Sequence, residues 1–489
     1  MKKRFLFTLI IFFFFFSSFS NAQHLNGFLS YSTFLSPVDG PYVETYLSIV
    51  GNSVNYIKQE NGKFQGTIEV TMIFRNNDEI IDFSKYEISS PEVEDTSNIN
   101  SSFIDQQRFL LPNGEYDFEI IISDKNEEKE PYITTEPVII DFPADSVSLS
   151  DIQLIKSFTK TDKTNILTKS GFDLVPNVYN FYPASINEIT FYSEVYNADK
   201  LFGENGPYLV SYFVESFNTG SKISFLQKFK RENAMPVNVV FNKFDISRLP
   251  SGDYSLVVEV RDRENELHTS KKIFFQRSNP DIKFEVGDIS NVIVQNTFAA
   301  RITNKDTLAE YIRSLNPIAS QLDVTFAENL MKDVDLKTMQ QYFYNFWSER
   351  DEKNPEEAWK KYAIEVRKVN QAFSTQIQKG YETDRGRVYL RYGPPNHIAD
   401  SHHEPSAYPY EIWHYYTLGT QRNKKFVFAT QDIVTNNFIL IHSDALGELS
   451  NYRWQYELHK RDFEPNNLDV FQSPNQWGSK DKDYFNNPR

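Results

Sequence analysis

A motif of fourteen residues occurs twice in this chain and limits the folds that it can adopt. The first copy spans Leu111 to Asp124, and the second spans Leu249 to Asp262, 138 positions further along. Each copy contains a Pro-x-Gly turn, a tyrosine two positions after the glycine, and a segment of alternating polarity that ends in aspartate. Such a segment is typical of a half-buried strand that follows a tight turn. The repeat therefore predicts two β domains of similar construction.

The tyrosine of each copy, Tyr116 or Tyr254, is placed where its hydroxyl could reach back to the preceding backbone. This resembles the tyrosine corner of immunoglobulin-like sandwiches, and the repeat period is close to the size of one such domain. We therefore predict a multidomain, mostly β protein with tandem immunoglobulin-like β-sandwich domains over residues 23–145 and 146–280. The predicted strands include Tyr42–Val50, Gly66–Phe74, Glu188–Tyr196 and Tyr208–Glu215.

The N-terminus has the three parts of a secretory signal peptide. Lys2, Lys3 and Arg4 precede the apolar run from Leu6 to Phe16, and small residues precede a cleavage point after Ala22. We predict that residues 1–22 are removed and that the protein is exported to the periplasm or the periphery of the outer membrane. An uncleaved membrane tether is the alternative. No other apolar segment is long enough for a membrane helix, so no transmembrane segment is expected after cleavage.

Composition excludes several classes of function. The chain has no cysteine, which rules out disulfides, thiolate chemistry and a lipid-modified N-terminal cysteine. Its formal net charge of −15 argues against nucleic acid and anionic membrane surfaces as partners.

Beyond Pro280 the spacing of apolar residues changes from the period of a strand to that of a helix. We predict a helical connector over residues 281–335, an α+β domain over 336–460 and a polar, poorly ordered tail over 461–489. Asn354 and Pro355 are typical of a helix start, and this helix should continue to Ile377 before Gly380 adopts a left-handed conformation. The helices are expected to cover one face of an antiparallel sheet. Its predicted strands are Val388–Tyr392, Tyr410–Tyr416, Lys424–Thr430 and Asn437–His442.

Three segments of this region resemble the GWxTD domain family: Phe346 to Asp351, Ala372-Phe373, and Gly380 to Pro395. The motif that names the family falls on Gly380 to Asp384, with Tyr381 at the position where tryptophan is usual. The resemblance covers residues 300–460 and implies the fold of the C-terminal domain. It implies structural roles for Gly380, Tyr381, Gly393, Pro394 and Pro395. The family has no assigned reaction, so the resemblance implies no catalytic residues.

The densest group of polar residues on a predicted turn is a candidate binding site: Thr383, Asp384, Arg385 and Arg387. Two arginines could bind a carboxylate or phosphate, with Asp384 orienting one guanidinium. Alternatively, Asp384 caps the turn and pairs with an arginine to fix the junction between helix and strand.

Half of the eight histidines fall in one stretch: His397, His402, His403 and His414. With Glu404 they form the one grouping that resembles a metal site, and His402, His403 and Glu404 are its weak candidates. The spacing is not that of a known helical zinc motif, so a solvated loop is the favoured interpretation. We expect no metal and no cofactor.

The sequence contains no nucleophile elbow and no phosphate-binding glycine loop. We therefore favour a non-catalytic interaction or assembly protein of the cell envelope, with other envelope proteins as partners. One alternative is a carbohydrate- or peptide-binding protein that uses exposed aromatic residues of the β domains. A hydrolase that uses Asp384 or the histidine loop is a further alternative.

Overall fold

The computed structural model describes residues 25–486 except 78, 98, 100, 128–130, 218, 281, 283–292, 321–322, 325–326, 328–334, 405–406, 420, 432–436, 452 and 460–479. Strands account for 47% of the structure and helices for 20%, so the protein is mostly β. The predicted signal peptide, residues 1–22, lies outside the described residues. Among the described residues, no helix is both long and apolar enough to cross a membrane.

The N-terminal part is a β-sandwich, which we call the first sandwich. Its strands are β1 (Gly27–Ser36), β2 (Gly40–Val50), β3 (Tyr56–Lys58), β4 (Phe64–Asn76), β5 (Glu79–Ser89), β6 (Ser102–Leu110), β7 (Gly114–Asp124) and β8 (Tyr132–Ile140). One sheet has the order β1-β2-β6, and the other has the order β3-β4-β7-β8 with β5 also paired to β4. Apolar side chains of alternate residues on facing strands, such as Val43, Val70 and Phe118, fill the space between the sheets.

The next part is the second sandwich. Its elements are β9 (Ser148–Leu149), β10 (Gln153–Lys160), β11 (Thr168–Lys169), β12 (Phe172–Pro176), β13 (Phe181–Pro183), β14 (Glu188–Tyr196), the short helix α1 (Ala198–Phe202), β15 (Pro207–Ser216), β16 (Lys222–Asn233), β17 (Val237–Asp245), β18 (Gly252–Arg261) and β19 (Leu267–Ser278). One sheet has the order β11-β12-β10-β14-β17, with β9 paired to β14, and the other has the order β13-β19-β18-β15-β16.

The two sandwiches repeat the same strand order. The run β1-β2-β6 corresponds to β10-β14-β17, and the run β5-β4-β7-β8 corresponds to β16-β15-β18-β19. The repeated motif supplies β7 and β18, which are interior strands of equivalent sheets. As predicted, each tyrosine reaches back four residues: the Tyr116 hydroxyl donates to the Pro112 carbonyl at 2.8 Å, and the Tyr254 hydroxyl donates to the Pro250 carbonyl at 3.1 Å. The sequence repeat is therefore also a structural repeat, while the domain limits 23–145 and 146–280 remain predictions.

The two sandwiches pack face to face. On strand β2, Val43 and every second residue after it face the first core, whereas Tyr42 and Glu44 face the second sandwich. Both faces of this strand are therefore buried. The Glu44 carboxylate is fully buried and pairs with Arg108 of its own sandwich and with Lys169 of the other. Removing one partner of such a buried ion pair strongly destabilises the folded protein, because the remaining charge is buried without compensation. The relative orientation of the sandwiches is therefore fixed by apolar packing and by a buried charge network.

The C-terminal domain combines helices with one antiparallel sheet. Its helices are α2 (Lys305–Arg313), α3 (Leu336–Arg350), α4 (Pro355–Phe373), α5 (Asp384–Tyr392), α6 (Trp454–Leu458) and α7 (Asp481–Asn486), and its strands are β20 (His397–Ser401), β21 (Tyr410–Leu418), β22 (Gln421–Ala429) and β23 (Ile439–Ser443), in that order in the sheet. Helix α5 and the end of α4 cover one face of the sheet, while α6 and α7 cover the other. The prediction that helices cover a single face was wrong.

The predicted strand Val388–Tyr392 was also wrong, because these residues belong to helix α5. The Thr383 hydroxyl accepts from the Gly386 amide and caps the helix, and Gly393 ends it with a φ of 83°. The β-forming residues Val388 and Tyr389 favoured a strand locally, but buried positions recur with a helical period along Arg385, Val388 and their neighbours. Helix α4 ends at Phe373, so Ile377 is exposed, and Asn354 makes no side-chain cap.

Gly380 is required for close packing and not for a left-handed conformation. It has no positive φ, contrary to the prediction. A Cβ atom at Gly380 would lie 2.1 Å from the Val369 carbonyl oxygen, and one at Gly386 would lie 1.8 Å from the Gly380 carbonyl oxygen. The turn at Gly380 therefore lies directly against the α4 backbone, and α5 lies directly against this turn through Gly386.

The tail differs from the prediction where it is described. Residues 481–486 form α7, and Phe485 packs against Trp454 and His442 on the sheet. Most of the remainder, residues 461–479, lies outside the described residues.

Candidate functional site

Helix α5 carries the predicted site residues, and two of them stabilise its first turn. The Thr383 hydroxyl donates to the Gly380 carbonyl at 2.7 Å while it caps the helix. The Asp384 carboxylate accepts from the Leu440 amide at 2.8 Å, which ties the helix to strand β23. Its other oxygen lies 3.9 Å from the Arg387 guanidinium. Both side chains therefore hold the start of α5 in place.

Arg385 is a core residue. Its guanidinium donates to Glu411 at 2.7 Å and lies 4.2 Å from the centre of the Phe438 ring. The same Glu411 carboxylate accepts from the Trp413 indole at 2.9 Å. Arg385 is only 6% exposed and pairs with Glu411, whereas Arg387 pairs with Glu448, so the two guanidinium groups lie in different surroundings. The predicted cluster of four is divided by the helix into separate structural groups.

Arg387 faces a different part of the molecule. Its guanidinium forms two hydrogen bonds with the buried Glu448 carboxylate, at 2.9 and 2.7 Å, and Tyr392 donates to the same carboxylate. Arg391, one turn further along, lies 3.6 Å from Glu448. Burial acts to raise the Glu448 pKa, but the hydrogen bonds and charges of the arginines outweigh it and hold this pKa below its usual value.

Arg387 and Arg391 also line a cleft between the second sandwich and the C-terminal domain. Its volume is about 430 Å³. Its lining residues come from three regions: Phe181, Gly252, Asp253, Gln276 and Arg277 from the second sandwich, Asn316, Pro317, Ala319 and Val324 from the connector, and Arg387 and Arg391 from α5. Pockets that bind small molecules commonly have this size and occur between domains.

The repeated turn of the second sandwich forms one wall of this cleft. Asp253 follows the turn glycine, lies 3.9 Å from the Arg391 guanidinium and accepts from Gln276 at 3.1 Å. Burial raises the Asp253 pKa above its usual value. The equivalent residue of the first copy, Glu115, pairs with Arg422 of the C-terminal domain at 3.1 Å. Both repeats therefore present an acidic residue to an arginine of the same domain.

Arg277 is the most enclosed charge of the cleft wall, with 3% of its surface exposed. Its Nη1 donates to the carbonyls of Pro183 and Ile186, at 2.7 and 2.6 Å. Its Nη2 is buried and has no hydrogen-bond partner within the described part of the chain. No carboxylate of the described residues lies within ion-pair distance of Arg277, and burial lowers the pKa of its guanidinium.

Sequence reasoning missed Arg277 and Arg391. Arg391 follows Arg387 by one helical turn, so the correct assignment of α5 would have placed both on one face. Arg277 carries no comparable signal, because it is one of several basic residues in an alternating strand.

The predicted histidine grouping is divided between two places. His397 and His414 are register partners on β20 and β21, and His414 contacts Asn423 at 2.7 Å. His402, His403 and Glu404 line a second cavity, of about 500 Å³, together with Lys480 and Tyr484 of the tail. Glu404 is buried and accepts from the Tyr410 hydroxyl at 2.9 Å. Within the described ranges, no three histidine or acidic side chains are placed to hold a metal ion.

These features define a protein of two stacked β-sandwiches that both contact a C-terminal α+β domain. The family model described as the GWxTD domain matches residues 288–456. The chain therefore carries a GWxTD domain, and the resemblance predicted from the motif is confirmed.

Several solved structures show a distant likeness to part of this chain. Fibronectin(III)-like modules of Clostridium thermocellum CbhA match with 10% identity and a TM-score of 0.15, over 50% of this chain and 89% of theirs. A calcium-binding mutant of Bacteroides uniformis beta-glucuronidase 2 matches with 9% identity and a TM-score of 0.16, over 50% of this chain and 28% of that one. Parabacteroides merdae beta-glucuronidase matches with 8% identity and a TM-score of 0.17, over 49% of this chain and 29% of that one.

At such low identity and TM-score, the likeness implies no shared activity. This chain spans less than a third of either beta-glucuronidase. No curated protein matches the sequence.

Proposed function

We propose that this protein is a non-catalytic interaction or assembly protein of the cell envelope, and that its immunoglobulin-like sandwiches bind other protein chains along their outer strands. The observation that carries the proposal is the exposure of two equivalent strands, β5 and β16. Each pairs with one neighbour only among the described residues, so each leaves one edge of hydrogen-bonding groups open. Exposed edges of this kind are used by proteins that bind a partner by strand addition.

The side chains of these strands support the same proposal. Phe83 on β5 is 64% exposed, and Phe229 on β16 is 76% exposed. Large exposed rings are costly to keep in water and are common at binding surfaces. Their recurrence on the corresponding strand of both sandwiches favours a shared role over chance exposure of a single residue.

The rigid arrangement of the domains also favours assembly. The sandwiches share a buried interface through Glu44 and Lys169, and both contact the GWxTD domain through the acidic residues of their repeated turns. The two open edges are therefore held at a fixed separation, which suits a chain that engages an extended or repeated partner.

Export completes the proposal. Cleavage after Ala22 would release a protein that begins at Gln23, in the periplasm or at the periphery of the outer membrane. Mass analysis of the mature N-terminus checks this: a chain that retains Met1 in the cell would contradict export by cleavage.

The interaction is tested by photo-crosslinking in intact cells. A photoreactive amino acid is placed at Phe83 or Phe229, with Ile377, an 84% exposed residue of the C-terminal domain, as the matched control. We expect one shared adduct from positions 83 and 229 and none from position 377. Equal adducts at all three positions, or adducts at none, would contradict edge-specific binding.

Carbohydrate binding is the second candidate, because the same exposed rings could stack on sugars. It predicts that purified protein binds immobilised glycans and that Phe83→Ser and Phe229→Ser abolish this binding. Since both rings are exposed, neither substitution should lower the melting temperature appreciably. Glycan binding without any protein adduct would replace the first proposal by the second.

A further inference from the structure

We propose that the cleft between the second sandwich and the GWxTD domain binds a small organic monocarboxylate, whose carboxylate lies against Arg277 and Arg391. Neither residue belongs to the predicted site, and the proposal is independent of the outer strands β5 and β16. It rests on a buried charge without a counter-ion, on the charge balance of the cleft, and on the composition of its walls.

The first step is the buried charge of Arg277. A buried guanidinium is destabilising unless an anion balances its charge. Backbone carbonyls satisfy Nη1 of Arg277, but they carry no net charge. Nη2 has no hydrogen-bond partner among the described residues. The guanidinium therefore has no counter-ion among the described residues, and a carboxylate in the cleft supplies the missing negative charge.

The second step is the charge balance, which selects a monoanion. Arg387 and Arg391 are offset by Glu448 and Asp253, with which they form ion pairs at 2.7 to 3.9 Å. Asp384 also lies 3.9 Å from Arg387, so Arg277 is the one cation of the described lining with no carboxylate within ion-pair distance. A single carboxylate neutralises it, whereas a dianionic phosphate would leave an excess negative charge beside Asp253. Planar carboxylates also match the fork of donors that a guanidinium presents.

The third step is the shape and chemistry of the walls. The cleft has about 430 Å³, which exceeds what a simple inorganic ion needs. Pro317, Ala319 and Val324 contribute apolar side chains to the lining, and Gln276 and Asn316 contribute side-chain amides. This combination fits a ligand with one charged end and one apolar or hydroxylated end.

The competing explanation is that Arg277 only anchors the loop that carries Pro183 and Ile186. That role accounts for Nη1 but leaves Nη2 and the positive charge unexplained. It also gives Arg391 no part in binding, so the two explanations differ in what a change at Arg391 does.

The test uses the full mature chain and three probes: acetate, benzoate and glucuronate. Each is titrated at constant ionic strength against chloride and inorganic phosphate, and binding is measured by calorimetry and by the melting temperature. We expect saturable binding of at least one carboxylate and a higher melting temperature, with phosphate weaker than that carboxylate and no effect of chloride.

Substitutions of single arginines test whether the carboxylate binds in this cleft. Arg391→Gln should weaken carboxylate binding by about tenfold, since it removes one charge-assisted contact. Arg422→Gln is the matched control: it lies in the same domain and pairs with the equivalent acidic residue of the other repeat, but it is outside the cleft. Binding should be unchanged in this control.

Arg277→Met addresses the buried charge directly and should abolish binding if the variant folds. Should it fail to fold, the Arg391→Gln comparison still decides. The proposal is overturned if none of the three carboxylates binds saturably, if phosphate binds more tightly than all of them, or if Arg391→Gln and Arg422→Gln bind equally well.

Discussion

The two repeated turns contact the C-terminal domain in chemically similar ways but in different surroundings. Glu115 and Arg422 are 3.1 Å apart and mostly exposed, with side-chain exposures of 69% and 52%. Asp253 and Arg391 are further apart, at 3.9 Å, but only 20% and 18% exposed. Exposed pairs contribute about 0 to 1 kcal/mol, whereas pairs removed from water have much larger effects. The same turn therefore makes a weak surface contact in one copy and part of a buried cleft in the other.

The two contacts differ in burial because their arginines lie on different elements of the C-terminal domain. Arg422 lies on the hairpin formed by β21 and β22, which reaches the first sandwich at its edge. Arg391 lies on α5, whose close packing on α4 brings the connector and the second sandwich around it. We call these contacts the first junction and the second junction. Depth of burial, and not the identity of the paired residues, should decide their energetic weight.

The largest expected effect is at Glu448, which anchors the second junction. Glu448→Gln removes the charge that balances Arg387 and Arg391, and we expect it to lower the free energy of unfolding by about 3 kcal/mol. Chemical denaturation measures this change. Glu115→Gln at the first junction is the control, with an expected change below about 0.5 kcal/mol. Equal losses in the two variants would show that burial does not separate the junctions.

The same carboxylate predicts a pH dependence. Its pKa is lower in the folded state than its usual value of 4.5, so folding favours the ionised form. The stabilisation is complete above pH 4.5 and is lost as the pH falls through the folded pKa. We expect Glu448→Gln to flatten the acid limb of a plot of stability against pH, and Glu115→Gln to leave that limb unchanged. An unaltered acid limb in Glu448→Gln would contradict this assignment.

A substitution at Gly447 tests the second junction without changing the charge of any residue. It has a φ of 81°, and a Cβ atom there would lie 3.3 Å from the Asp253 carboxylate. Gly447→Val should cost about 1 to 3 kcal/mol through backbone strain, plus the displacement of Asp253. Gly419 also has a positive φ, of 61°, but has open space around its Cβ position. A greater loss of melting temperature in Gly447→Val than in Gly419→Val would isolate the contact across the junction.

The two tyrosines should respond alike, because their hydroxyls make the same bond inside each sandwich. Tyr116→Phe and Tyr254→Phe each remove one hydrogen bond to a proline carbonyl. We expect each to lower the free energy of unfolding by about 1 kcal/mol. A large difference between the two losses in urea denaturation would mean that the turns differ inside the sandwiches as well as at the junctions.

The smallest effect is expected at the first junction itself. Arg422→Gln should change the free energy of unfolding by less than about 0.5 kcal/mol at moderate ionic strength. At 1 M salt even this difference should vanish, because an exposed pair is screened. A loss above 1 kcal/mol that persists at 1 M salt would show that this junction is stronger than its exposure suggests.

Local pattern was sufficient for much of the fold. The strand Glu188–Tyr196 was predicted at its observed limits, because alternation of polarity is a property of neighbouring residues. The tyrosine contacts followed from the repeat for the same reason. The prediction failed for helix α5. Val388, Tyr389 and Tyr392 favour a strand locally, but close packing at Gly380 and Gly386 favours a helix.

The candidate site was predictable only in part. The motif drew attention to Arg387, which does line the cleft, and to Arg385, which is buried elsewhere beside Glu411. Nothing local distinguishes the two, since they are separated by a single glycine. Their different roles arise because a helix directs neighbouring side chains to different sides.

The sequence by itself determined that this chain has two similar β domains, an α+β domain with the GWxTD motif and no cysteine chemistry. The tertiary structure alone decided that Asp253, Arg277 and Arg391 line one cleft. Secondary structure follows from residue spacing over a few turns, so a sequence displays it. Which charges become buried together depends on how whole sheets and helices pack, and that packing is set by contacts between residues that no local pattern relates.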